Sequence, residues 1–322
     1  MFDPRHLRLL QEIARTGSLS AAAAELGFSQ PAVSYQLRSL EREVGTVLVV
    51  RNGRVTHLTP AGEALTAHAD RILSSIQTAE RDLADIVGSK TGLVRIAAFP
   101  SGCATIVPAA MAAMRATRPA VEIQLSQAEP PLATALVRRG EADLAVSYRY
   151  EIPAPHQPAG RRTPLHRVAL LEDPVRVVLP AGHPLTGHRD VALRDLADAT
   201  WIISSQSFED ILQRAAAPYG FTPTITMVAD DYVAMQALVA HGLGIALLPR
   251  LALVAHRDDR VVSRAVRDWP PRRIEAEMWP DRMRVDAVRA MLAEVRAACA
   301  RQATDDDRTA VPTQPSDDTP HT

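Results

Sequence analysis

The sequence predicts an α + α/β chain in three parts: a winged helix-turn-helix over residues 1–59, a long linker helix over 60–88, and a two-lobed α/β domain over 89–301. Gly17, Gly27 and Gly45 cut the first stretch into three short helical stripes, and an Asn-Gly pair between β-branched runs follows them. An apolar stripe then runs unbroken from Leu65 to Ile86. Beyond Gly92, short apolar runs alternate with helical stripes, the pattern of a mainly parallel sheet. With 322 residues, 47% of them apolar, there is material for more than one core.

The first helix, Pro4 to Arg15, has Leu7, Leu10, Ile13 and Ala14 on one face. Gly17 ends it, and Ser18 suits the N-cap of the next. The second helix, Leu19 to Leu26, is expected to turn Ala21–Ala24 inward, with Phe28 plugging the turn after Gly27. Ser29 caps a third helix that tolerates Pro31 in its first turn, where a missing N–H costs nothing. Val33, Leu37, Leu40 and Val44 form its apolar face. The other face carries Gln30, Ser34, Tyr35, Arg38 and Arg42, without an acid near the helix start. Polar groups for base edges, with arginine for guanine or phosphate, are what a helix entering the major groove needs. Ser29 and Pro31 belong to the same candidate DNA-contact set.

Val47–Val50 and Val55–Leu58 flank Asn52-Gly53, which predicts a hairpin wing with Arg51 and Arg54 against the phosphate backbone. The head has only a small excess of positive charge, so a surface that binds protein instead stays open at this point.

Thr59-Pro60 starts the long helix, with Leu65, Ala69, Ile72, Ile76, Ala79, Leu83 and Ile86 at a/d spacing. Such a stripe pairs with a second copy or packs on its own domain. Pairing is the expectation, because a reader with one groove-entering helix gains from two half-sites.

Residues 88–92 read as a hinge. The first lobe is predicted over 93–165 plus 269–300 and the second over 166–268, with a cleft between them. Strands are expected at Leu93–Ala98, Val121–Leu125 and Ala142–Ser147, and in the second run at Val168–Leu171, Val175–Leu179, Trp201–Ile203, Thr224–Met227 and Ile245–Leu248. Ligands of open α/β sheets bind outside the carboxyl ends of strands. That selects Pro100, Ser101 and Gly102, then Glu129, then Tyr148, and in the second lobe Ser204, Ser205, Ser207 and Asp230. Serines at helix starts favour an anion, though each also serves as a simple N-cap. Cys103, at a helix start, is read as a small packing residue, since Cys299 is too remote in sequence to be a natural resolving partner. After Arg301 the chain is acidic, with Asp305, Asp306, Asp307, Asp317 and Asp318 against Arg308, and 302–322 is expected to be a disordered tail.

Several classes are excluded by expectation. No run of eighteen apolar residues exists, so no membrane span is expected. The N-terminus lacks an apolar signal core, which points to a reduced cytoplasmic setting. Two cysteines and scattered histidines, including His183 and His188, make no disulfide framework or metal set. No phosphate loop, HExxH or GxSxG stands in the chain, so neither an enzyme nor a cofactor is expected.

The segment SLSAAAAELGFSQPAVSYQLRSLEREVG, with Leu48, Arg51 and LTPAGEAL after it, resembles the DNA-binding domain of LysR-type transcriptional regulators, a bacterial family. Val49 departs from the pattern, which usually has phenylalanine there. RRGEADLAV, AGHPL and GLGIALLP resemble phrases of the family's effector domain, which is itself similar to periplasmic binding proteins. The resemblance implies a DNA-binding regulator that responds to a small-molecule effector in the lobe cleft, with Ser101 the best-matched position. It further implies a homodimer assembling to a tetramer, and transcription machinery as partner. From the residues alone, an α/β half acting as a ligand-independent assembly platform stays open.

Overall fold

The computed structural model describes residues 3–52, 55–87, 92–152 and 164–309. The head opens with α1 (Pro4–Thr16), α2 (Leu19–Glu25) and α3 (Gln30–Val44). Asp3, Ser18 and Ser29 cap them by accepting from Arg5, Ala21 and Ala32 backbone N–H groups at 2.8, 3.4 and 3.4 Å. Of the four alanines of α2 only Ala22 and Ala23 are buried; Ala21 and Ala24 face solvent, because one helix turns just one stripe to its neighbour. Phe28 does not plug the turn either, being 48% exposed. The backbone closes that turn instead, with Phe28 N–H bonded to the Ala23 carbonyl at 2.9 Å.

The wing is β1 (Val49–Asn52) paired antiparallel with β2 (Val55–Leu58). The Glu41 carboxylate on α3 accepts from Leu48 N–H at 2.9 Å and Val49 N–H at 3.4 Å, fixing where the wing starts. Thr56 N–H donates to the Gly17 carbonyl at 2.8 Å and ties the wing to the first turn. Gly53 and Arg54 lie outside the described residues, as does the side chain of Arg51.

Helix α4 (Pro60–Val87) follows at once. Thr59 accepts from Gly62 N–H at 3.1 Å and donates to the Val47 carbonyl at 2.8 Å. At Gly62 a Cβ would stand 2.1 Å from the Leu48 carbonyl oxygen, so the helix start packs on the wing strand only because no side chain is there. The a/d stripe is not uniform. Ala69 is fully buried with Leu7 and Leu73, and Leu65 packs against Leu10, Leu40 and Leu48. Ala69 is therefore occupied inside the chain and is not available to a second copy, contrary to expectation, and half-buried Leu65 is partly used there. Ile72 (38%), Leu83 (62%) and Ala79 remain exposed, and Ile76 is half-buried. The side chain of Ile86 lies outside the described residues.

Among the described residues the α/β half forms two sheets. In the first lobe β3 (Leu93–Ala98), β4 (Glu122–Gln127) and β5 (Leu144–Tyr150) are parallel, while β13 (Arg272–Met278) runs antiparallel to both β5 and β6 (His166–Asp173). The short α5 (Pro100–Ala104), α6 (Ile106–Thr117) and α7 (Leu132–Arg138) connect them. The second sheet takes β7 (Val175–Pro180), β8 (Asp190–Val191), β9 (Thr200–Ile203), β10 (Thr224–Val228), β11 (Ile245–Pro249) and β12 (Val261–Val266), with α8 (Gln206–Ala216), α9 (Tyr232–Ala240) and α10 (Arg250–Ala255) around it.

Strand β6 was predicted for the second lobe and belongs to the first. Its local pattern does not say which sheet it joins; pairing with the distant β13 does. The chain thus crosses between lobes twice, at Asp173–Pro174–Val175 and between Val266 and Arg272. Buried Val94, Ile96, Leu144, Val146 and Ile274 form the first core with Met114, Val288 and Val295. The last helix, α11 (Asp286–Thr309), runs past the expected end at residue 300. No glycine or proline interrupts 301–309, so residues 302–309 of the expected tail are helical. Residues 310–322 lie outside the description.

Candidate functional site

Two regions could act on other molecules. On the head, α3 buries Val33, Leu37 and Leu40 and turns the predicted contact face outward. Ser29, Gln30, Pro31, Tyr35, Arg38 and Arg42 are exposed, Tyr35 by 63%, and Ser34 is half-buried. Tyr35, Arg38 and Arg42 line an open groove with Thr46 and Val47 ahead of the wing. Arg42 Nε donates to the Arg38 carbonyl at 3.3 Å, which lays its guanidinium along the helix. Val49, in the place of the expected aromatic, is half-buried between two small apolar clusters.

The second region lies where the lobes meet. Ser101, one residue into α5, is 1% exposed, and its Oγ accepts from Arg272 Nη2 at 2.9 Å. The Arg272 guanidinium also donates to Asp173 at 2.6 and 3.1 Å. It lies over the rings of Phe99 and Tyr148, 4.7 and 4.5 Å from their centroids. From the second lobe Tyr232, the first residue of α9, stands beside Ser101 and Arg272, both of which act against the rise that burial gives its phenol. Asp173 accepts from Leu251 N–H on α10 at 3.1 Å, a second bond across the lobes. Rings continue the contact in a chain: Phe99 to Tyr148 (5.1 Å), Tyr148 to Tyr150 (5.7 Å), and Tyr150 to Phe208 and Trp269 of the second lobe (6.1 and 6.2 Å). The Trp269 indole N–H is buried without a hydrogen-bond partner.

Ionisation follows the geometry. Burial opposes the Arg272 charge, but Asp173 together with Tyr150, Tyr232 and Tyr148 outweighs it, and the guanidinium is held more firmly protonated than usual. Burial raises the Tyr148, Tyr150 and Tyr232 phenols above their ordinary range. Glu129 is exposed as a residue, yet loss of water around its carboxyl raises its pKa, against the hydrogen bond it receives from Tyr148 and the charge of Arg272. Burial, with Glu129 nearby, pushes the Cys103 thiol up to about 11, and the thiol donates to the Ala98 carbonyl at 3.3 Å. A helix start does not yield a thiolate there.

Of the predicted cleft residues, Ser101, Glu129 and Tyr148 converge on Arg272, with Pro100 and Gly102 flanking Ser101. Tyr148 lies within β5, not beyond its end. Among the described residues, no hydrogen bond joins Ser204, Ser205, Ser207 or Asp230 to this cluster. Ser205 caps α8, accepting from Phe208 N–H at 3.2 Å, and Asp230 and Ser207 are exposed. Arg272, Asp173, Tyr232 and Trp269 were not foreseen. No sequence pattern marked them as site residues: the expected lobe boundaries fall at 165/166 and 268/269, and Asp173 meets Arg272 only through the pairing of β6 with β13.

Two family models match the chain: the LysR substrate binding domain over residues 88–300, and the bacterial regulatory helix-turn-helix protein, lysR family, over residues 4–63. The chain is 30% identical over 249 residues to the Hca operon transcriptional activator HcaR of Escherichia coli (strain K12), covering 76% of this chain and 81% of that one. It is 30% identical over 271 residues to the HTH-type transcriptional regulator MetR of Salmonella typhimurium, covering 83% and 81%. In fold it is similar to an OxyR C206 mutant of Corynebacterium glutamicum, with a TM-score of 0.58 at 22% identity over 97% of this chain and 98% of that one. Full-length BenM superposes with a TM-score of 0.55 at 23% identity, over 94% and 98%.

Proposed function

The chain belongs to the LysR family of transcriptional regulators, and from that premise we propose that α3 reads double-stranded DNA while the lobe cleft at Ser101 takes the effector. Gln30, Tyr35, Arg38 and Arg42 supply base and phosphate contacts in the major groove, with Arg51 and Arg54 of the wing on the backbone. The exposed part of α4, at Ile72, Ala79 and Leu83, pairs with a second copy, and two such dimers make a tetramer that engages the transcription machinery from the cytoplasm.

The observation that carries the cleft assignment is the hydrogen-bonded cluster of Ser101, Arg272 and Asp173, which Leu251 N–H joins at 3.1 Å and beside which Tyr232 of the second lobe stands. A ligand that takes over this hydrogen bonding changes how far the lobes close, and so the angle between paired heads. That is a coupling between two sites. The unpartnered Trp269 N–H supports an effector bearing an acceptor oxygen, since a buried donor left without one is unfavourable. Net negative charge on the effector is not required, because Asp173 already matches Arg272 and Glu129 adds a carboxyl.

Nuclease footprinting of the DNA upstream of the protein's own gene, at two salt concentrations, tests the reading. The expected result is two protected half-sites on one face, fading as salt rises. Random-sequence selection that recovers no enriched DNA would overturn it.

A further inference from the structure

Helix α4 buries polar side chains along one side. Thr66, Asp70 and Ser74 are exposed by only 6%, 7% and 5%. Their spacing, continued by half-buried Gln77, makes a single stripe, and exposed Ile72, Ala79 and Leu83 fall roughly on the opposite side of the helix. Helix α1 covers part of the stripe, with Gln11 donating to Asp70 at 2.6 Å. The first lobe covers the rest. At Gly140, in the turn after α7, a Cβ would stand 2.7 Å from Gln77 Oε1 and 3.0 Å from both the Cα and the Oγ of Ser74, so only a residue without a side chain lets the lobe approach this closely. Beside that contact the two surfaces part around a space of about 630 Å³ lined by Thr66, Asp70, Leu132 and Ala135 among others. A polar joint that is tight at one point and loosely packed beside it is the kind that moves.

The other end of α7 lies at the Ser101 cluster. Glu129, whose carboxyl meets Tyr148 and Arg272, also accepts at its carbonyl from Ala133 N–H in the first turn of α7, at 3.1 Å. At the far end Arg139 N–H donates to the Ala135 carbonyl at 2.9 Å and Gly140 N–H to the Val137 carbonyl at 3.0 Å. Hydrogen bonding thus runs from Glu129 to Gly140 along a rod roughly 10 Å long. Ala133 and Val137 are fully buried beneath it, and Trp279 Nε1 donates to the Val137 carbonyl at 3.0 Å. One short element therefore touches the cleft at one end and the linker helix at the other.

We propose that α7 couples the cleft to α4: a change at Glu129 and Tyr148 is delivered through Gly140 to Ser74 and Gln77, and it loosens or tightens the first lobe on the linker helix. The proposal rests on the cleft reading above for its input and adds the route of its output. Because the lobe docks on one side of α4 and a second copy pairs on the other, the shift reaches the paired helix without breaking the pair.

Hydrogen exchange resolved by segment, on the full-length chain free of DNA, tests the route without an effector. Tyr148→Phe withdraws the hydroxyl from Glu129 and keeps a ring over Arg272. It is expected to speed exchange over α4 residues 66–77 at least about fivefold, the low end of an ordinary coupling, and to leave α2 and α3 unchanged. Ser74→Leu wedges the joint open directly and is expected to give a similar increase, to which Tyr148→Phe then adds nothing. Glu129→Ala and Gln77→Trp stand in for whichever of the two variants does not fold. Exchange over 66–77 unchanged by the cleft variants, or increases that multiply in the double variant, would overturn the proposal. Random-sequence DNA selection on the parent chain keeps the failures apart: no enriched DNA refutes the reader at α3 and leaves the exchange result standing.

Discussion

Arg272 donates to Asp173 at 2.6 Å, and the two are cross-strand partners at the two points where the chain leaves and re-enters the first lobe. Both side chains are exposed by 1% or less. The same ion pair closes the end of the first sheet and, through Ser101, Tyr232 and Leu251, sets how the second lobe sits on it.

Removing one partner leaves a buried charge without compensation. Asp173→Ala is expected to lower the unfolding free energy by about 3–5 kcal/mol. Urea denaturation checks it. The double variant Asp173→Leu with Arg272→Met is expected to recover most of the loss, since neither charge then remains buried.

Gly62 has no room for a side chain, its Cβ position lying 2.1 Å from the Leu48 carbonyl oxygen. Gly62→Ala is expected to cost about 1–3 kcal/mol by overpacking. Because the strain falls between wing and linker helix, the head is expected to lose stability before the lobes. Hydrogen exchange resolved by segment would show faster opening in β1, β2 and the start of α4.

Arg38 stands on the outward face of α3 beside Tyr35 and Arg42. Arg38→Ala is expected to weaken operator binding by about 1–3 kcal/mol if the arginine meets a base edge. If it meets a phosphate, the loss is uniform across sequences and the salt slope falls by about one. Titrations on specific and random DNA at several salt concentrations separate the two; affinity and slope both unchanged would remove Arg38 from the interface.

Glu129 has its pKa raised in the folded protein by loss of water. A raised folded pKa means that the contribution to stability is complete below the unfolded value and is lost as pH rises through the folded one. Glu129→Gln, which does not ionise and still accepts from Tyr148, is expected to raise the urea midpoint at pH 7.5 and leave it unchanged near pH 4. Equal midpoints for variant and parent at both pH values would show that burial does not govern this carboxyl.

Much of the head was legible because its signals are local. The caps Ser18 and Ser29, the αL turn at Gly17, and the stripe Val33–Leu37–Leu40 each depend on residues within four positions of one another. Ser101 was reached by the rule for strand ends and does lie at the meeting of the lobes. Phe28, Ala21 and Ala24 depart from expectation for a related reason: a local pattern shows that a face exists, while burial depends on what packs against it.

What the sequence determined by itself was therefore the helices of the head and their caps, the outward face of α3 and the alternating course of the α/β half. Tertiary structure alone decided that β6 joins the first sheet, that Leu65 and Ala69 are used within the chain, and that Asp173 meets Arg272 ninety-nine residues away. Periodicity records which side of an element is apolar, over a span of a few residues. Which partner covers that side, or pairs with a charge, follows from strand order and packing, and those are properties of the whole chain.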